Sequence, residues 1–434
     1  MLRTTFAERR RMETLPATLL AAHQLARLNA LLKSILPQNR FYAEKLATAL
    51  SPAALADPQG PLSSLGQLCS LPFTFKEELL PSDPTEHHAS NLTFPIDQYV
   101  RFHRTSGTRG RPLTVLDTAD DWKWWLDCWQ YVLDAAQITP ADRIFAAFSF
   151  GPFVGFWSAF DAAVARGCLV VPGGGLNSLG RLELLRSCEA TAILCTPSYA
   201  LHLAEVAAEN QIDTRDLGIK RLVLAGEPGG SVPEIRSRIA AAWQADVLDH
   251  AGASEVGPWG YGDADGIGLH VTESEFVAEF LSVETGGPAI EGELAELVLT
   301  TLGRVGSPVI RYRTGDLVRP SWQHRGANRF VHLPGGILSR SDDMIVVRGV
   351  NIFPSSIEHI LRSFPEVIEY RMIVRKVVEM DQLLVEIEDR LEDPDRVAAE
   401  LLLRLGLKVQ VSCVPLGSLP RFEGKGQRLI DERK

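Results

Sequence analysis

Between residues 143 and 249, short apolar runs recur: Ile144–Phe148, Cys168–Val171, Ala192–Cys195, Arg221–Leu224 and Asp246–Leu248. Longer segments separate them, including Leu182–Ser187, Leu201–Ala208 and Val232–Trp243, whose apolar residues return every three or four positions. The short runs read as buried strands and the longer segments as amphipathic helices. Their alternation predicts parallel strands with helices on both faces, a layout in which ligands collect at the carboxyl ends of the strands. Upstream, Leu19, Leu20, Leu25, Leu28, Leu31, Leu32 and Ile35 keep near-helical spacing, which predicts one amphipathic helix. Trp122, Trp124, Trp125 and Trp129 read as a packed helix face.

From residue 276 to 334 the pattern turns to strands punctuated by Gly and Pro, with Phe276–Phe280, Leu294–Leu299 and Arg329–Leu333 as the runs. A smaller unit begins near 342. Its pattern predicts a strand near Met344–Val347, a helix after Pro354, and paired strands around Glu369–Val378 and Gln382–Ile387. A helix through 395–405, a last strand Lys408–Val414 and a polar tail follow. The expected architecture is α/β: a large N-terminal domain, residues 1–341, with mixed and parallel sheets flanked by helices and a β-rich portion, then a small α+β C-terminal domain, residues 342–434.

Composition narrows the function. The 434 residues are 45% hydrophobic and 23% charged, as a packed globule requires. A net charge of −10 excludes broad nucleic-acid binding, which needs a basic face, but leaves room for a local basic cleft. Six cysteines without C-x-x-C spacing support neither a zinc site nor a disulfide framework, and fit free thiols in a reducing compartment. Arg9-Arg10-Arg11 followed by Leu15–Ala22 imitates the start of a signal peptide, yet His23, Gln24 and Arg27 interrupt it. No run approaches the ~18 apolar residues of a membrane span. The expectation is a cytoplasmic protein with no membrane or nucleic-acid partner.

The segment Arg104-Thr105-Ser106-Gly107-Thr108-Arg109-Gly110-Arg111-Pro112 combines small residues, hydroxyls and arginines. Such a turn lets backbone N–H groups approach phosphate oxygens, although the Walker A spacing is absent. Four further segments follow in order: Gly226-Glu227-Pro228, Gly252-Ala253-Ser254-Glu255, Tyr312-Arg313-Thr314-Gly315-Asp316, and the run from Ser339 through Arg340, Asp342, Arg348, Gly349 and Asn351 to Pro354.

With these segments, the sequence resembles the phenylacetate–CoA ligase family of adenylate-forming enzymes over nearly its whole length. Leu71-Pro72-Phe73-Thr74-Phe75-Lys76-Glu77 is similar to that family's N-terminal signature, and Thr196-Pro197-Ser198-Tyr199-Ala200 to an internal one. Pro420-Arg421-Phe422-Glu423-Gly424-Lys425-Gly426-Gln427-Arg428 resembles its C-terminal lysine motif. The resemblance implies ATP-dependent activation of a carboxylic acid as an acyl-adenylate, then transfer to coenzyme A. ATP and Mg²⁺ are the implied cofactors, CoA the co-substrate, and a homodimer the assembly allowed for.

The resemblance also implies roles. Thr105, Ser106, Gly107 and Thr108 would hold the ATP phosphates, and Glu255, beside Ser254, would bind Mg²⁺, a cation suited to carboxylate oxygens. Asp316 would accept hydrogen bonds from the ribose hydroxyls, with Arg340 alongside, and Gly226, Glu227 and Pro228 would line the adenine slot. Lys425 would bridge carboxylate and α-phosphate in the transition state. Asp342 would be the hinge about which the small domain turns, presenting Arg348, Gly349 and Asn351 to CoA. Phe148, Phe150 and Phe153 align with the loop lining the acid pocket, which suits an aryl or bulky apolar acid.

The pattern has departures. Arg111 replaces a lysine and Arg109 a threonine in the phosphate loop. Ala251 stands where an aromatic stacks on adenine, with His250 next to it as a substitute. Two other functions stay open: transfer to a non-CoA acceptor such as an amine, a carrier-protein thiol or another cofactor, and a non-catalytic nucleotide-binding homologue. Lys425, Asp316 and Glu255 argue against the last, and Ala251 is its support.

Overall fold

The computed structural model describes residues 2–81, 83, 87–105, 112–263, 265–324, 326–341, 345–347, 350–377, 380–405, 408–421 and 428–433. Its largest element is an eight-stranded mixed sheet. Five strands run parallel in the order Leu169–Pro172, Arg143–Ala146, Ala192–Cys195, Arg221–Leu224, Asp246–Ala253. Gly257–Gly262, Gly268–Val271 and His332–Pro334 continue it antiparallel. The five apolar runs are therefore the five parallel strands. Helices Ser178–Ser187, Pro197–Glu209 and Pro233–Trp243 pack on one core with Leu185, Tyr199, Leu203, Ile239 and Trp243 all fully or nearly fully buried.

The opposite face is covered by the helix Ala119–Ala135. Thr118 and Asp121 close a capping box at its start, which satisfies two end N–H groups and fixes where the helix begins. Its tryptophans are buried, as expected of a packed face. Trp124, Trp125 and Trp129 donate their indole N–H groups to Glu275, Asp117 and Ser158, so none carries an unmade hydrogen bond inward. The amphipathic helix near the N-terminus spans Ala17–Ile35 and buries Leu28, Leu31, Leu32 and Ile35. Among the described residues, no helix is long and apolar enough to cross a membrane.

An antiparallel sheet follows, in the order Phe276–Ser282, Ala295–Thr301, Tyr312–Val318, Ser339–Arg340. The C-terminal unit has its own core around Ile357, Leu361, Tyr370, Val385, Ile387, Val397 and Leu401. Among the described residues it holds a two-stranded sheet, Ile345–Val347 with Val350–Ile352, and a four-stranded one ordered Gln410–Cys413, Met380–Asp389, Val367–Val377, Leu429–Asp431, with Pro354–Arg362 and Pro394–Leu405 as helices. The last strand corrects the sequence reading, which leaves this stretch as polar tail. Leu429–Asp431 pairs parallel with Met372–Val374 and so returns the chain end to the sheet.

Candidate active site

Glu255 lies just beyond the strand Asp246–Ala253, its side chain only 7% exposed, and the ammonium of Lys76 stands 2.9 Å from its Oε1. Lys76 reaches this place because the segment before it is fastened to the antiparallel sheet. Thr74 N–H donates to the Arg311 carbonyl, Arg313 N–H donates to the Thr74 carbonyl, both at 2.9 Å, and Thr74 Oγ1 donates to the Ile310 carbonyl. The Phe73 ring lies beneath the guanidinium groups of Arg311 and Arg313, 4.0 and 5.6 Å from its centroid. Arg311 holds a left-handed backbone, φ 49°, an expensive conformation for a side-chain residue. Its guanidinium repays this by chelating Glu279 and donating to the Cys69 and Leu71 carbonyls.

On the strand Tyr312–Val318, Asp316 meets Arg340 across the sheet, with Arg340 Nη1 donating to Asp316 Oδ1 at 3.0 Å. Gly315, next to Asp316, has φ +76°, a left-handed backbone that favours glycine. Tyr312 opens the strand. Burial first, then the neighbouring Glu255 carboxylate, push its phenol well above the ordinary value and keep it a neutral donor. The structure thus groups Glu255, Asp316 and Arg340, all expected, with Lys76 and Tyr312, which carry no role in the sequence reading.

Thr105 closes the base of the phosphate segment, exchanging hydrogen bonds with Leu113 through its backbone N–H and its Oγ1. Ser106, Gly107 and Thr108 lie outside the described residues, as do Asp342, Arg348, Gly349 and Lys425, and the side chain of Asn351. The Ser254 carbonyl accepts a hydrogen bond from Arg304, which steadies the loop bearing Glu255.

Gly226, with φ +95°, turns the chain after the strand Arg221–Leu224, and Pro228 is half-buried. Glu227 between them has a side chain only 10% exposed. Its carboxylate accepts the Ser198 N–H at 2.7 Å, capping the helix Pro197–Glu209, and lies 3.7 Å from Arg428 of the C-terminal unit. Burial, only partly offset by Arg428, pushes its carboxyl up.

Arg428 is clasped by Glu369, at 2.7 and 3.1 Å, and Arg421 by Glu388, at 2.6 Å. These arginines stand on either side of the segment that carries Lys425, and the two glutamates are direct cross-strand neighbours. Burial alone would raise both carboxyls, but the arginine hydrogen bonds and charges hold both below the usual range.

The three phenylalanines of the expected acid pocket belong to one aromatic cluster, in which Phe148 meets Phe150 edge-on at 5.4 Å between ring centroids and Phe156 links Phe148 to Phe153. Phe148 is buried and stacked on Phe156 at 4.5 Å, Phe150 is half-buried beside Trp157 and Phe160, and Phe153 is 41% exposed. Trp157 joins the set and pins the loop by donating to the Gly151 carbonyl at 2.8 Å. Ala251 lies in the core, and His250 does not present a free face. Its ring contacts Trp129 at 4.1 Å, its Nδ1–H donates to the Gly260 carbonyl, and burial pulls its pKa down to about 4.

The family model for the AMP-binding enzyme C-terminal domain matches residues 349–433. A phenylacetate–coenzyme A ligase of Thermus thermophilus is 30% identical, with 98% of this chain and 99% of that protein covered. A crystal structure of 2-hydroxyisobutyryl-CoA ligase in its postadenylation state with 2-HIB-AMP superposes with a TM-score of 0.88 at 27% identity, covering 98% of this chain and 92% of that one. The same ligase with 2-HIB-AMP and CoA in its thioesterification state gives 0.72. Fold and relatives together define an adenylate-forming enzyme. Within that class, the chain belongs to the phenylacetate–coenzyme A ligase family.

Proposed function

We propose that this chain is an AMP-forming acid–CoA ligase acting on an aryl or bulky apolar carboxylic acid. In the first half-reaction a substrate carboxylate oxygen forms a bond to the α-phosphorus of ATP, and the bond to pyrophosphate breaks. In the second, the sulfur of CoA attacks the acyl carbon, and AMP leaves with the electron pair. The full-length likeness to a ligase solved with both its acyl-adenylate and CoA carries this reading.

Glu255 fits Mg²⁺, since it offers a buried hard carboxylate at the rim of the sheet; the ion would neutralise phosphate charge there. Asp316 accepts from the ribose hydroxyls, with Arg340 fixing its orientation. Gly226 and Pro228 border the adenine, while Glu227 positions the helix behind it and the C-terminal unit beside it. Thr105, with Ser106, Gly107 and Thr108, holds the phosphates. Lys425 supplies the cation of the first transition state. Asp342 marks the boundary between residues 1–341 and 342–434 and is the pivot that turns Arg348, Gly349 and Asn351 toward CoA. Phe148, Phe150 and Phe153, with Trp157 beside them, line the acid pocket. The enzyme works in the cytoplasm, as monomer or homodimer.

The test is a screen of carboxylic acids for acid-dependent pyrophosphate release with and without CoA. Thioester formation with an aryl acid is the expected result. Adenylate without thioester would replace CoA by another acceptor, and no pyrophosphate with any acid would refute the reading.

A further inference from the structure

We infer that Lys76 is a second catalytic cation, one that holds the nucleotide phosphate through both half-reactions; the inference rests on the function proposed above. Lys76 is 38% exposed and Glu255 is 7% exposed, so the ammonium stands at the mouth of the site over a carboxylate at its floor. At 2.9 Å from Glu255, the ammonium stands beside the carboxylate proposed to meet the phosphates. When the nucleotide enters, the phosphate offers Lys76 a second anion. A compact ammonium on a flexible stem can exchange one for the other.

The place where Lys76 is fastened separates it from Lys425. The segment Phe73–Lys76 is tied by backbone hydrogen bonds to Arg311 and Arg313 and by Phe73 beneath both guanidinium groups, all within the large unit. Lys425 belongs to the other unit, between Arg421 and Arg428. The chain superposes less well on the thioesterification state of its relative, TM-score 0.72, than on the postadenylation state, 0.88, a difference between two arrangements of one ligase.

Charge at the phosphate changes in each step. During adenylation, two anions are driven together as the carboxylate–phosphorus bond forms and pyrophosphate departs with its electron pair. During thioester formation, the carbon–oxygen bond to the phosphate breaks, its electron pair stays on the phosphate oxygen, and the thiol proton passes to solvent. On the proposed pivot at Asp342, AMP therefore gains its negative charge with the C-terminal unit turned away. A cation anchored on the unit that keeps the adenylate is the group that can stabilise it.

The test compares Lys76→Met and Lys76→Arg by calorimetric titration with AMP and with adenosine, without Mg²⁺, and by rate in each half-reaction. Lys76→Met should weaken AMP about ten-fold or more, adenosine less than about two-fold, and Lys76→Arg should recover most of the loss. Lys76→Met should slow both pyrophosphate exchange and thioester formation from supplied acyl-adenylate by about ten- to a hundred-fold, whereas Lys425→Ala should slow only the first. An unchanged AMP-to-adenosine ratio, equal loss of both ligands, or an effect confined to one half-reaction would overturn the inference. A wild-type protein that adenylates no acid would instead overturn the proposed function, with the AMP and adenosine titrations still deciding whether Lys76 meets phosphate.

Discussion

Replacing Glu369 by Gln tests how the C-terminal unit holds the segment that carries Lys425. Gln keeps the shape and one acceptor, but turns an amide N–H₂ toward the donors of Arg428, whose side chain is only 7% exposed. At 2.7 Å and an effective dielectric of ~20, the lost Coulomb attraction is about 6 kcal/mol, most of it offset by the restored solvation of the removed charge. Breaking a buried pair from one side costs about 3–5 kcal/mol, and the remaining acceptor, with Glu227 at 3.7 Å, puts the expected loss near the lower end, about 3 kcal/mol.

All eight tryptophans lie at or before residue 322, so their fluorescence reports the large unit and should not change. Hydrogen exchange reports the other unit. Amides of Val367–Val377 should exchange about a hundred-fold faster in the variant at pH 7. The Glu369 carboxyl is held below its ordinary 4.5, so the unfolded chain binds the proton more readily. Its contribution is present above about pH 4.5 and fades as pH falls through the lower folded value, so the gap between the two proteins should shrink in acid. Exchange within a few-fold of wild type at pH 7, or a gap that does not narrow in acid, would refute the account.

Lys425→Ala should lower pyrophosphate exchange by roughly a hundred- to a thousand-fold, about 2.7–4 kcal/mol, with no change in melting temperature. Phe150→Ala should shift discrimination among aryl acids by about ten-fold or more while ATP affinity stays put, checked by kcat/KM for a series of acids; uniform loss with a lower Tm would assign Phe150 to packing. Glu273 accepts the Val331 N–H at 2.6 Å, and burial pushes its carboxyl up to about 7. The folded state thus binds more protons than the unfolded chain between about pH 4.5 and 7, and stability falls as pH rises through that window. Glu273→Gln should therefore be more stable than wild type above pH 7, by about 1–3 kcal/mol in denaturant titrations, with the difference gone near pH 4.

The parallel strands were legible because each is a short apolar run; Arg143–Ala146, Ala192–Cys195 and Arg221–Leu224 are largely buried, whereas Leu169–Pro172 is the half-exposed edge of the sheet. The motif order was legible for the same reason that it is functional: small and charged residues interrupt the periodicity at strand ends. The strand Gly257–Gly262 was not, since Gly-Pro-Trp-Gly-Tyr-Gly carries no alternation, and Tyr312–Val318 reads as a motif because Arg313, Gly315 and Asp316 break its pattern. Lys76 belongs to the N-terminal signature, yet its meeting with Glu255 depends on how Thr74 joins a strand far along the chain. The resemblance places Glu227 in the adenine slot, but says nothing of what its carboxylate holds. Its partners, Ser198 and Arg428, come from a helix start and the chain's end, which no local spacing reveals.

The pairing of Glu369 with Glu388 across two strands has an evolutionary consequence. Carboxylates directly opposite each other repel, and each is tolerated here because an arginine answers it. Changing Glu369, Arg428 or Arg421 alone leaves a buried charge without its main partner, so a lineage leaves this arrangement most readily by exchanging partners together. The four positions should be inherited as a block. Where a descendant has lost one pair, the other should be under relaxed constraint too, because the segment they bracket needs both ends fixed to deliver its lysine.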